Sequence, residues 1–272
     1  MCLPARRRTV VLLLLVIGAC RTGRNYTALE GPRYAGRPPL GASNAPRTPA
    51  ALRIVSFNVE YGIQVDSAIA VLASEAALRG ADLVLLQEMD EHATRRIADT
   101  LGMGYVYYPA VFRFNTQRNL GNAVLSHWPI VEDRKIVLPH LARVVRSQRV
   151  ATAATVRVNQ SLVRVYSVHL GTMAGLAAAA RRDQLRTILT DAGSYPHVVI
   201  GGDMNDPGIG QIAREAGYAW PTQRGPYTTR VGRLDHIFVK GLGTPDSGAA
   251  GTVLNVRRAS DHLPVWAVAL LR

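Results

Sequence analysis

Hydrophobic and polar positions change their period several times along the chain, and each change marks an element. Residues 52–57 form a nearly unbroken apolar run of strand length, 66–79 has helical spacing closed by Gly80, and Leu83-Val84-Leu85-Leu86 returns to a buried strand. The domain therefore opens strand, helix, strand. A helix predicted over 90–101 is followed by short strand-like runs at 105–108, 122–126, 130–138, 150–158 and 162–168, spaced as antiparallel neighbours. An alanine- and arginine-rich helix over 176–191 leads to a strand at 197–200, and further strands are expected at 234–239, 252–256 and 265–270. No internal repeat is visible. Strands with helices at intervals imply a mixed α/β architecture and leave its topology open.

The first fifty residues lack this periodicity. Arg6, Arg7 and Arg8 precede an apolar run from Val10 to Ala19, which ends at the small-residue junction Ile17-Gly18-Ala19-Cys20. That layout is a secretory signal, too short to span a bilayer as a mature helix. It resembles a bacterial lipoprotein signal, which implies cleavage after residue 19, acylation of Cys20 and a membrane-anchored protein of the cell envelope, periplasmic or extracellular. The alternative is an ordinary cleaved signal, and either form is exported. Residues 20–51, rich in Gly, Pro, Arg and Asn, read as a flexible tether, with the catalytic-sized domain over 52–272.

Composition narrows the class. With 48% of 272 residues hydrophobic and 19% charged, the chain can bury a full core and is not disordered by composition. Cys2 and Cys20 are its two cysteines, so no disulfide can form inside the domain. The formal charge of +13 falls to +10 once the three arginines of the signal are removed, and it favours anionic partners. Nearly all of it is arginine, a bias that codon preference alone can produce, so the charge by itself does not select nucleic acid.

The chemistry sits at the strand ends. Phe57-Asn58, Gln87-Glu88, Val168-His169, Gly202-Asp203-Met204-Asn205, Leu234-Asp235-His236 and Ser260-Asp261-His262 each close or open a predicted strand with a carboxylate, carboxamide or imidazole. Any one of these is explained by a turn former, but six gathered along a sheet edge make a site. Hard oxygen donors without cysteine suit Mg²⁺ or Mn²⁺ and argue against structural zinc. A histidine beside a carboxylate suits acid–base work, for which Asp261-His262 and Asp235-His236 are the candidates.

The ordered series Ser56-Phe57-Asn58, Leu86-Gln87-Glu88, Gly121-Asn122-Ala123, Ser167-Val168-His169, Gly202-Asp203-Met204-Asn205, Arg233-Leu234-Asp235-His236 and Ser260-Asp261-His262-Leu263-Pro264 resembles the endonuclease/exonuclease/phosphatase superfamily. The resemblance covers about residues 52–270. It implies a deoxyribonuclease I-like four-layered α/β sandwich, two packed mixed β-sheets flanked by helices, with the site at one rim. It implies an exported, metal-dependent phosphoesterase in which Glu88, Asn58 and Asp261 hold the metal. Asp203 would orient or deprotonate the attacking water and Asn205 would hold water and phosphate. His262 would be the catalytic histidine paired with Asp235, as base or electrostatic stabiliser, while His169 and, less directly, Asn122 would contact the phosphate.

Phosphodiesters are the expected substrates, nuclease-like ahead of phospholipid or inositol phosphate. Val168-His169-Leu170 and the absence of a long insertion for gripping a duplex disfavour abasic-site repair. The rival from another class is a silent envelope binding module, which would be expected to have lost one of Glu88, Asp203, Asn205, Asp261 or His262. Other residues take plain readings. His236 is strand packing, His92, His127, His140 and His197 are surface or core histidines, and Arg143, Arg146 and Arg149 are first a solvated basic face, with phosphate contact as the lesser alternative. Gly201-Gly202 marks a tight backbone approach, since no dinucleotide fingerprint follows it.

Overall fold

The computed structural model describes residues 22–38, 51–245 and 249–271. The predicted signal over 1–19, Cys20 and residues 39–50 of the expected tether lie outside the described residues. Two short strands come first, β1 (Gly23–Asn25) and β2 (Tyr34–Gly36). The chain continues through β3 (Ala51–Asn58), α1 (Val65–Ser74), β4 (Leu83–Met89), α2 (Glu91–Leu101), β5 (Gly104–Arg113), β6 (Arg118–Ser126), β7 (Ile130–Val137) and β8 (Val150–Val158). It closes with β9 (Ser161–His169), α3 (Ala178–Ala192), β10 (Val198–Asp203), α4 (Gly210–Glu215), β11 (Asp235–Lys240), β12 (Ala250–Thr252) and β13 (Val265–Leu270). Among the described residues no helix is long and apolar enough to cross a membrane.

The strands form two sheets. The larger runs β1-β5-β6-β4-β3-β13-β12, with β2 also on β5, and the smaller runs β11-β10-β9-β8-β7. Leu52, Ile54, Leu85 and Val124 of the first interdigitate with Val156, Val165, Val199 and Ile237 of the second, so the central core lies between the sheets. A second apolar cluster packs α1 and α2 on the outer face of the large sheet, and a third packs α3 and α4 outside the small one. Four layers result, as the resemblance implies.

Most pairs are antiparallel; β3 with β4 and β9 with β10 are parallel, each joined through a helix. Their carboxyl ends share one rim, the place where open α/β sheets bind ligands. Glycines permit the close approach there: a Cβ on Gly202 would stand 1.8 Å from the Val168 carbonyl oxygen, and one on Gly201 would stand 2.6 Å from Leu85 of the other sheet.

Three local expectations change. Helix α1 stops at Ser74, whose hydroxyl bonds the Ala70 carbonyl at 2.6 Å while Glu75 turns extended, so residues 75–80 are turn rather than helix. The strand expected over 252–256 shifts to the short β12. Residues 22–38, read as tether, instead pair with β5 through β1 and β2. Polar anchors explain this. The buried Lys135 ammonium donates to the carbonyls of Tyr26 (3.2 Å), Ala28 and Gly31 (2.6 Å), and Arg33 forks onto Asp133 with two bonds of 2.6 Å. The stabilising partners are far away in sequence, so local composition hides them.

Candidate active site

The rim is built from strand ends in register. Asp203 ends β10 and pairs with His169, the end of β9, on one side and with Asp235, the start of β11, on the other. Asn58 ends β3 opposite Gln87 of β4. Between Leu86 and Met89 the register of β4 against β6 slips, and Glu88 takes the left-handed φ of +58°. Such a bulge re-aims a side chain, and the strain is held by what surrounds it. One such support is Gln87, whose amide crosses to Ser167 Oγ at 3.0 Å while Ser167 donates to the Leu86 carbonyl at 2.9 Å, stitching the two sheets below the site.

Asp203 is the hub. Its Oδ1 accepts the Asn205 amide N–H at 2.9 Å, and its Oδ2 accepts Asn58 Nδ2 at 3.2 Å. That same Oδ2 stands 3.3 Å from His169 Nε2 and 3.7 Å from His262 Nε2. Burial and the neighbouring Asp235 charge raise the Asp203 pKa. The group is thereby brought nearer to exchanging a proton at neutral pH.

The two imidazoles differ in state. His169 is fully enclosed, and burial, with Arg149 and His262 nearby, holds its pKa well below the usual value. Arg149 Nη1 lies 3.4 Å from His169 Nδ1. Since a guanidinium can only donate, Nδ1 is the acceptor and the proton of the neutral ring sits on Nε2, facing Asp203. His262 goes the other way. Burial alone would lower it, but its 2.9 Å bond to Asp235 and the charges of Asp235, Asp203 and Asp261 outweigh that and hold it at about 10. It is a cation at neutral pH, with Nδ1–H on Asp235 and Nε2–H toward Asp203.

Glu88 lies 3.8 Å from His169 Nδ1 and accepts the Tyr61 N–H at 3.2 Å. Desolvation raises its pKa, while Arg149 and His262 pull it down. Asp261 is exposed at the mouth; its N–H bonds Glu60 at 3.1 Å, and its charge is felt by both Glu88 and His262. Asn205 is buried at φ +51° and donates its side-chain amide to Leu170. Asn122 is committed to structure: its amide donates to the Val150 carbonyl at 2.7 Å, joining β6 of one sheet to β8 of the other.

A divalent cation fits these residues. Asp203, Asp235 and His262 bring ligand-type atoms within 4.8 Å of one another. In that group His262 presents its Nε2, since its Nδ1 is bonded to Asp235. Glu88, Asn58 and Asp261 supply oxygens of the hard type such a cation takes, and burial, with the charge of Asp261, raises the Glu88 pKa.

Arg149, read from sequence first as part of a solvated face and only second as a phosphate contact, lies beside His169 and Glu88 in this cluster. It immediately precedes β8, beside His169, and desolvation lowers its pKa while Glu88 and Asp203 oppose that shift. The missed signal was its position: an antiparallel strand brings its start, not its end, to the rim, as with Asp235. His236 points away from the cluster; Trp220 Nε1 donates to its Nδ1 at 3.3 Å and the rings meet edge to face.

Two packed sheets with this cluster at their rim define the class of four-layered α/β sandwich proteins with a rim site. The chain belongs to the Endonuclease/Exonuclease/phosphatase family, whose model matches residues 55–262. Members of that family are hydrolases of phosphoester bonds and generally use divalent metals. No curated protein matches significantly in sequence. Similar solved structures include a conserved protein of unknown function from Enterococcus faecalis V583, 17% identical with a TM-score of 0.63, covering 81% of this chain and 100% of that one. Sphingomyelinase C from Streptomyces griseocarneus is 20% identical with a TM-score of 0.61, covering 82% and 100%. D. rerio TDP2 in complex with a single-strand DNA product is 18% identical with a TM-score of 0.62, again covering 82% and 100%. At these identities the likeness concerns the fold.

Proposed function

We propose that the chain hydrolyses phosphodiesters outside the cytoplasm by direct attack of water, with Mg²⁺ or Mn²⁺ held by Glu88, Asn58 and Asp261. The observation that carries this reading is the convergence of Asn58, His169 and His262 on one oxygen of Asp203, with Asp235 steadying His262 from behind. When bound, the ion polarises the phosphoryl oxygens. Asp203 orients the water and takes its proton, which its raised pKa favours. His262, cationic, faces the charge that develops on phosphorus and stabilises it rather than acting as base. His169 holds Asp203 through its Nε2–H beside the phosphate, Arg149 supplies a positive charge there, and Asn205 a hold on the water. Asn122 acts indirectly, by keeping the β8 start in place.

Purified protein assayed on bis(p-nitrophenyl) phosphate with Mn²⁺ tests the reading. Turnover should vanish in chelator, and Glu88→Ala should fall to the chelator level. Undiminished turnover in either case refutes it. A silent binding module would turn nothing over, but it would also have no reason to keep Glu88, Asp203, Asn205, Asp261 and His262 together. Export and anchoring rest on the lipoprotein-like junction at Cys20. Mass spectrometry of the mature N-terminus should find an acylated cysteine, and Cys20→Ser should release the protein from membranes.

A further inference from the structure

An apolar groove of about 560 Å³ opens directly off the catalytic cluster, and Arg149 lines both it and the small cavity shared with Glu88, Asn122 and His169. The volume lies in the range of roughly 300–1,000 Å³ typical of ligand pockets. Val111, Phe114, Val144, Val145 and Leu176 form much of its wall. Phe114, Val144 and Val145 are exposed, Val144 by 86%, on a protein whose other large apolar side chains mostly lie inside. Contiguous exposed apolar surface of this kind marks a binding face.

Three of the polar side chains in the wall are engaged within the protein. Thr22 bonds the Val145 carbonyl, Gln148 the Leu138 carbonyl, and Thr172 accepts the Gly175 N–H. At the mouth the Tyr61 ring is covered by the Arg113 guanidinium, 4.5 Å from its centre. At the junction of groove and cluster the contents change to cations: Arg113 is close enough to Arg149 for its charge to lower the Arg149 pKa. Anionic group at the junction and hydrocarbon in the groove describe one amphiphile.

Building on the phosphodiesterase reading above, we propose that the groove binds the hydrocarbon chain of a phosphodiester lipid, placing the diester at Arg149 and Asp203. This reorders the expectation from the sequence, which put nucleic acid first. Hydrolysis of such a diester breaks one P–O bond, adds the water oxygen to phosphorus, and returns the leaving oxygen as an alcohol with the proton released from the water.

The test uses soluble p-nitrophenyl phosphodiesters bearing methyl, butyl, hexyl, octyl or decyl chains, below their micelle concentrations, with Mn²⁺. For the full mature chain, kcat/KM should climb with length by up to about fourfold per methylene until the groove is filled. Val144→Asp and Phe114→Asp should flatten the series and leave the methyl ester unaffected. A flat series in the unaltered protein, or an equal slope in both variants, overturns the proposal. So does a flat series accompanied by Val144→Asp-sensitive cleavage of a single-stranded oligonucleotide. If no diester is turned over, the hydrolytic reading fails by itself. Calorimetric titration with decylphosphonate still judges the groove: binding lost in both variants supports it, and absence of binding to the unaltered protein overturns it. Binding to Cys20→Ser protein but not to acylated protein would assign the groove to the chain's own anchor and overturn it equally.

Discussion

Three histidine environments at or near the rim illustrate how position decides role. His169 is neutral by burial, His262 cationic through Asp235, and His236 neutral because burial pushes it down to about 3. His262→Ala and His169→Ala should each lower kcat by about 10²–10⁴-fold, the range for a positioned acid–base or charge-stabilising group, with His236→Ala far milder. A reversed order in steady-state kinetics would remove His236 from its packing role. Stability should also depend on pH through His236. The folded pKa of His236 lies below its unfolded value near 6.5, so the unfolded chain binds the extra proton. The stabilisation is therefore complete above about pH 6.5 and is lost as pH falls toward 3, by up to about 1.4 kcal/mol per unit. Urea midpoints across that window should fall less steeply for His236→Phe than for the unaltered protein. The residue types of the site were legible because polar groups at strand ends stand out in an apolar sequence. Arg149 was not, since an arginine in a basic chain carries no contrast of its own.

At the scale of elements, the rim depends on two strands lying closer than side chains allow. Gly202→Ala sets a methyl against the Val168 backbone, which cannot rotate away. Destabilisation of more than about 4 kcal/mol is expected, with displacement of Asp203 and loss of activity in whatever protein still folds. A urea midpoint close to that of the unaltered protein would show that β9 and β10 separate easily. The strands and longer helices were readable because burial on both faces leaves long apolar runs, and because Asp90 and Gly102 cap α2 with local chemistry. The end of α1 and the existence of α4 were not. The first is decided by one serine's back-bond, and α4 is too short for a periodic signal.

For the whole molecule, residues 22–38 are part of the folded body. Lys135→Met should remove the donor shared by the Tyr26, Ala28 and Gly31 carbonyls, at about 1–3 kcal/mol for each acceptor left buried without a partner. Limited proteolysis should then cut within 22–38 well before the core, whereas an uncut segment in the variant would mean that β1 and β2 hold without the lysine. No pattern within the segment announces this attachment, because its contacts are to side chains a hundred residues away.

The attachment also sets a leash length. A free coil of about thirty residues would let the domain wander roughly 30 Å from an anchor at Cys20, whereas the two residues from Cys20 to Thr22 reach at most about 7 Å. An acylated protein would then be held flush with its own leaflet, searching in two dimensions with Thr22 and the adjoining groove turned toward the lipid. Molecules embedded in that leaflet would meet the active site by lateral diffusion, while those in the surrounding volume would have to come to the surface to be cleaved.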